Sequence, residues 1–255
     1  MGRKANSDYN CSTNIKLTSR NATQKKLMRD FYNPNYRIFF TLGCAGSGKT
    51  YMTVLRAMQL YTEHKVNKII ISRPSVGADE DLGYLPGGLE DKMYPWVRPI
   101  FDVMYEHWMP DKVEQMLEQD VLEIAPLAYL RGRSFSRCAI ILDEFQNSTI
   151  AQMKMALTRV GQDSYMFVTG DEGQSDLKGQ KNGLVDFCER LAITGSDMIS
   201  VTRFSKSDIV RDPIVEEVLN IYDTTDATDV IEDNKDALSA IKSYEASPDI
   251  DPILR

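Results

Sequence analysis

The sequence predicts an α/β fold, a mainly parallel sheet flanked by helices. Three observations carry that expectation. Short runs such as 68–72 (KIIIS) and 138–142 (CAIIL) are apolar without alternation, the pattern of strands covered on both faces. Segments of helical periodicity alternate with them, as βαβ units require. The chain has 255 residues, 42% of them apolar and 26% charged, which suffices for one sizeable core and excludes a disordered or collagen-like chain.

The elements follow in order. Positions 22–32 carry Leu27, Met28 and Phe31 at helical spacing, and Asn33, Pro34 and Asn35 end that helix with turn residues. Residues 36–42 (YRIFFTL) read as a buried strand, followed by a glycine loop and a helix over 49–63. Residues 68–72 form a second strand. Residues 73–96, with Gly83, Pro86, Gly87 and Gly88, read as a long functional loop. Helices are expected over 97–108 and 112–119, then a short strand over 121–125 and a strong one over 138–143. Helices at 149–159 and 184–192 alternate with strands at 165–169 and 198–204.

Charge divides the chain more sharply than hydropathy. The net charge is −7, yet nine acidic and only three basic residues lie from Asp223 onward. The first 33 residues hold seven basic and two acidic side chains. This asymmetry predicts a flexible basic arm over 1–20, a folded domain over 21–222 and an acidic tail over 223–255. Cys11, Cys44, Cys138 and Cys188 have neither metal-ligand spacing nor a disulfide framework, which predicts a reducing, cytoplasmic setting. The longest apolar run, 138–142, has five residues, against the roughly 18 of a spanning helix. No basic-then-apolar leader opens the sequence, so neither membrane insertion nor secretion is expected.

Residues 43–50 carry the chemistry. Gly43, Cys44, Ala45, Gly46, Ser47, Gly48, Lys49 and Thr50 match GxxxxGK[ST] between a predicted strand and a predicted helix. Small residues let backbone N–H groups surround an anion, and the helix N-terminus adds a positive dipole. Lys49 can reach β- and γ-phosphates, and the Thr50 hydroxyl can ligate Mg²⁺. The motif predicts a P-loop NTPase. Its expected partner is an apolar strand ending in acid, and 139–144 (AIILDE) is one. Asp143 would hold Mg²⁺. Glu144, one residue on, points another way and can polarise a water toward the γ-phosphate. A third strand end, at 168–171, is followed by Gln174, placed to sense the γ-phosphate. In open parallel sheets such ends converge on one crevice.

Seven runs together add a resemblance: RPSV at 73–76, LGYLPGGLEDKMYPWVRPIFD at 82–102, LEIAPLAYLRGRSF at 122–135, ILDEFQNST at 141–149, QMKMALTRVG at 152–161, VTGDEGQSDL at 168–177 and DIVRDPIV at 208–215. Over residues 20–222 the chain resembles PhoH-like proteins, P-loop ATPases related to the core of superfamily 1 helicases. The resemblance implies a RecA-like fold, ATP and Mg²⁺ as ligands, and catalytic roles for Lys49, Glu144 and Gln174. It implies that Gln24 reads the adenine edge and that Arg211 acts as a finger toward a neighbour's γ-phosphate. Arg73, Arg131 and Arg133 match basic positions of the family. Such a finger requires self-association, with a hexameric ring among the closed forms. The implied second ligand is single-stranded RNA, with Tyr84, Tyr94 and Trp96 as stacking faces. Two departures stand out: Phe145 where alanine is usual, and Gly173 where threonine is common. Rival readings are an ATP-dependent oligomeric scaffold and a small-molecule kinase.

Overall fold

The computed structural model describes residues 15–74, 89–177 and 181–209, and positions 214, 215, 217, 218 and 221, which are helical. The side chains of 89–92 lie outside the described residues. The chain divides into two compact units, Met1–Val210 and Arg211–Arg255, and the sheet belongs to the first. Its elements run α1 (Ala22–Phe31), β1 (Ile38–Gly43), α2 (Lys49–Thr62), β2 (Lys68–Ser72), α3 (Leu89–Tyr105), α4 (Pro110–Glu118), β3 (Leu122–Ile124), β4 (Cys138–Leu142), α5 (Ile150–Leu157), β5 (Tyr165–Gly170), α6 (Gly183–Thr194) and β6 (Ile199–Phe204). Short 3₁₀ turns occupy Leu127–Leu130, Phe145–Asn147 and Lys206–Asp208.

All six strands pair in parallel, in the order β3-β2-β4-β5-β1-β6. Successive side chains point to opposite faces, so each continuous apolar strand feeds two cores. Phe39, Ile69, Ile71, Ala139, Ile141 and Phe167 face α1 to α4. Phe40, Leu42, Ile70, Ile140, Leu142, Met166 and Val168 face α5 and α6. Phe31 from α1 meets Phe39 edge-on at 5.3 Å and Phe167 at 5.5 Å, while Phe39 and Phe167 stack at 5.2 Å. Such pairs each add about 0.5–1.5 kcal/mol beyond their burial.

Helix starts are set by local side chains. Asn21 accepts from the Gln24 N–H at 2.7 Å, Thr149 and Gln152 form a reciprocal capping box, and Asn182 accepts from the N–H groups of Leu184 and Val185. The expected loop over 73–96 is shorter than predicted, because α3 begins at Leu89. Met93, Val97, Ile100, Phe101 and Met104 form its buried stripe. Pro95 and Pro99 both fall on the exposed side, where water can serve the carbonyls they leave without a donor. Burial of the stripe therefore outweighs two helix-breaking residues. Residues 75–88, with Tyr84, lie outside the described residues.

The expected loose arm over 1–20 is held at its end. Ile15 and Leu17 are buried, and Gln59 Nε2 donates to the Ile15 carbonyl at 2.6 Å. Residues 1–14 and the acidic tail lie outside the described residues. Among the described residues, no helix is long and apolar enough to cross a membrane.

Candidate functional site

In the strand order, β5 stands between β4 and β1. The loops after these three neighbours therefore leave the same edge of the sheet side by side. The first is 43–50. Gly43, Gly46 and Gly48 adopt φ of 132°, 81° and 83°, a region open to glycine and costly for other residues. Gly43 also touches the end of β6: a Cβ there would lie 2.3 Å from the Phe204 carbonyl oxygen. Ser47 is fully buried, and its Oγ donates to the Cys44 carbonyl at 2.9 Å. The Lys49 ammonium donates to the same carbonyl at 2.7 Å, spanning the loop. Unlike α1, α5 and α6, α2 starts on a glycine, Gly48, without a side-chain cap. Its first N–H groups are thus unblocked by any capping side chain, as an anion site requires.

Asp143 follows β4 and is buried. Its Oδ1 accepts from Thr50 Oγ1 of α2 at 3.2 Å and from Thr169 Oγ1 of β5 at 2.5 Å. Its N–H donates to the Ser72 carbonyl at 2.9 Å. One residue so ties the end of β4 to three neighbouring elements, α2 and β5 through its carboxylate and β2 through its N–H. Burial pushes its pKa up, the Thr169 hydroxyl opposes that, Glu144 adds to the rise, and Arg73 and Thr50 ease it. Burial lowers the Lys49 pKa, while Asp171, Glu144, Cys44 and Asp143 raise it again, so the acids of two strand ends act on one ammonium.

Glu144 takes a left-handed conformation, φ 54° and ψ 40°, rare for a residue with a side chain. Such strain persists only where surrounding structure enforces it, and it concentrates at functional sites. The Glu144 carboxylate is held by Gln146, a residue to which the motifs assigned no role. Gln146 is buried, its Nε2 donates to Glu144 Oε2 at 2.5 Å, and its Oε1 accepts from the Asp171 N–H at 3.1 Å. Asn147 exchanges two hydrogen bonds of 3.0 Å with Asp176. Gln174 lies in the loop so tied, exposed, its own N–H donating to the Asp171 carbonyl at 3.2 Å. Gln146 stands two residues past Glu144 in ILDEFQNST, a position whose role the sequence alone does not mark.

Gln24 is buried against the phosphate loop. Its Nε2 donates to the Ser47 carbonyl at 3.2 Å, and its Oε1 accepts from the Arg20 N–H at 2.8 Å. Arg73 donates to the Trp96 carbonyl at 2.8 Å. The two family departures are accommodated. Phe145 is fully buried in the core under α5 and α6, pointing away from the crevice, and the Gly173 N–H donates to Asp171 Oδ1 at 2.9 Å.

Two expectations are not brought to the site, and a third falls outside the described residues. Tyr94 and Trp96 are half-buried and pack against the core beneath α3, with the Tyr94 ring 5.1 Å from Phe101. The apolar stripe of α3 claims them. Arg133 forks onto Glu123 at 2.5 and 2.9 Å and covers the Phe135 ring at 4.5 Å, a structural role; Arg131 is exposed. Arg211 lies outside the described residues.

The residues fit a magnesium-bound nucleoside triphosphate. Thr50 and Asp143 supply hard oxygens of the type Mg²⁺ takes, one or two from protein with phosphates and water completing the octahedron. Among the described residues there is no cluster of three or more His, Cys, Asp or Glu able to cage a metal alone.

The family described as PhoH-like protein matches residues 16–223. A PhoH-like protein of Bacillus subtilis is 45% identical over 187 residues, covering 73% of this chain and 58% of that protein. One from Synechocystis is 38% identical over 192 residues, covering 75% and 58%. Protein PhoH of Escherichia coli K12 is 40% identical over 189 residues, covering 73% and 53%. The matched region thus spans little more than half the length of these relatives.

Proposed function

The chain belongs to the PhoH-like family of P-loop ATPases, and on that premise we propose that it binds ATP with Mg²⁺ and hydrolyses the β–γ phosphoanhydride, with single-stranded RNA as the ligand that stimulates it. The observation that carries the reading is Asp143, a buried carboxylate bonded to hydroxyls from both the phosphate-loop helix and the central strand. The same carboxylate lies beside an uncapped helix start and a lysine, the surroundings a magnesium-bound phosphate needs.

In this reading the triphosphate lies on the N–H groups of 43–50. Lys49 leaves the Cys44 carbonyl for the β- and γ-oxygens. Thr50 and Asp143 would hold Mg²⁺, which would supply positive charge beside the phosphates. Glu144 orients the attacking water and takes its proton. Gln174 touches the γ-phosphate, and Gln24 turns its amide from backbone to the adenine edge. The RNA component rests on the family relationship. The described cysteines, Cys44, Cys138 and Cys188, are unbridged, in keeping with a cytoplasmic setting.

The decisive experiment measures phosphate release with Mg²⁺, with EDTA, and with and without single-stranded RNA. Magnesium-dependent turnover that Glu144→Gln reduces at least ~100-fold while nucleotide binding persists is the expected result. Equal turnover by Glu144→Gln would remove its assigned role. Turnover without any response to RNA would favour the scaffold reading.

A further inference from the structure

Two buried amides, Gln146 and Asn147, join the segment after Glu144 to the loop carrying Gln174, and of these Gln146 also bonds the Glu144 carboxylate. We propose that Gln146 is a positioning residue, which holds the Glu144 carboxylate in its working orientation and links it to the 171–177 loop. The proposal rests on the hydrolytic reading above and adds a component to it.

The argument is one of hydrogen-bond inventory. A glutamine amide has two donors and one carbonyl acceptor, and a buried one needs partners on both sides. Gln146 places its donor on Glu144 Oε2 and its acceptor on the Asp171 N–H. Its backbone carbonyl accepts from Ser175 Oγ at 3.1 Å. The same residue therefore touches the catalytic carboxylate and both ends of a five-residue stretch that includes Gln174. Space around it is tight: a Cβ on Gly170 would lie 2.9 Å from Gln146 Oε1 and 2.6 Å from Leu184. The amide thus lies directly against the Gly170 backbone at the end of β5. Glu144 itself takes a left-handed backbone conformation, and its carboxylate is bonded by the Gln146 amide.

This arrangement makes a specific chemical demand. Only a residue that donates on one side and accepts on the other satisfies both neighbours. A glutamate keeps the acceptor for Asp171 but faces Glu144 with a second carboxylate. A leucine keeps the shape and loses both bonds.

The test uses the full chain and four variants, Gln146→Leu, Gln146→Glu, Glu144→Gln and the Glu144→Gln/Gln146→Leu double. Both kcat and the affinity for a fluorescent ATP analogue are measured. The Gln146 variants should keep wild-type affinity and lose about a hundredfold in kcat, the scale on which ~1 Å misplacement of a reacting group acts. Adding Gln146→Leu to Glu144→Gln should cause no further fall, because the residue acts through Glu144. Should Gln146→Leu fail to fold, the near-isosteric Gln146→Glu decides on kcat and affinity.

Three results overturn the proposal. The first is wild-type kcat in the Gln146 variants while Glu144→Gln is inactive, which leaves the role of Glu144 standing. The second is affinity falling in step with kcat, as general loosening of the site would produce. The third is a full multiplicative loss in the double variant. If Glu144→Gln instead turns over like wild type, the hydrolytic reading fails and the role of Gln146 goes with it.

Discussion

Lys49 shows how much chemistry a single position concentrates. Its ammonium spans its own loop to the Cys44 carbonyl, in reach of the fields of Asp171, Glu144 and Asp143. A phosphate would offer stronger, charge-assisted partners, worth about 1.5–3 kcal/mol. Lys49→Ala should therefore weaken ATP binding about 10- to 100-fold in a calorimetric titration. Gly43 is as constrained, by backbone rather than charge. With φ of 132° and the Phe204 carbonyl 2.3 Å from where a Cβ would stand, Gly43→Ala must separate β1 from β6 or distort the loop. It should cost about 1–3 kcal/mol in denaturant unfolding; wild-type stability would contradict the close approach. Gly173 is the contrasting case. A Cβ there would meet only Asp171 Oδ1 at 3.4 Å, an ordinary contact, so the missing threonine is a choice the site does not force.

Among the elements, β3 has the weakest claim to stability. It has three residues and lies at an edge, paired only to β2. Glu123 compensates from its centre, accepting from Arg133 in a fork and from Lys68 at 2.6 Å. The Arg133 hydrogen bonds, opposed by burial and aided by Lys68, hold the Glu123 carboxyl below its ordinary value of 4.5. A carboxyl so lowered contributes its stability above that ordinary value and loses it as pH falls through the lower, folded one. Thermal midpoints of the wild type should thus drop more steeply below pH 4.5 than those of Glu123→Gln. Parallel curves would show that the pairs contribute nothing to acid stability. Helix α3 makes the complementary point, since its length is set by a buried stripe that overrides Pro95 and Pro99.

At the scale of the whole molecule, the resemblance points to a cation supplied to the γ-phosphate by a neighbouring chain. An arginine finger contributes about 10³-fold or more to such hydrolysis, and Arg211 is the residue the family pattern nominates. If it serves a neighbour in a closed ring, heterologous contacts must repeat around the circle. Mixing Arg211→Ala with Lys49→Ala should then restore part of the activity that each lacks alone, measured as phosphate release. A monomeric mass in ATP at micromolar protein would end that reading. The acidic tail makes a second, electrostatic prediction. Removing residues 223–255 deletes a net charge of −6 and should tighten single-stranded RNA binding at low salt, with a gain that shrinks as salt screens it. An affinity unchanged by truncation at every salt concentration would show that the tail does not repel RNA.

The sequence by itself determined what is local. The phosphate loop was legible because its glycines, lysine and threonine are contiguous and the backbone shape they need is set within eight residues. β2 and β4 were legible because two-sided burial leaves an unbroken apolar run. The acidic pair was legible because it terminates such a run. What only the tertiary structure decided depends on contacts between distant residues. Strand order puts β5 between β4 and β1, and so delivers Thr169 to Asp143 across 26 positions. Gln146 reaches the Asp171 N–H across 25, and no local pattern marks an amide that must donate one way and accept the other. Tyr94 and Trp96 looked like stacking faces until the core beneath α3 took them. Periodicity states which faces are apolar, but the partner that covers each face is chosen only when the sheet is assembled.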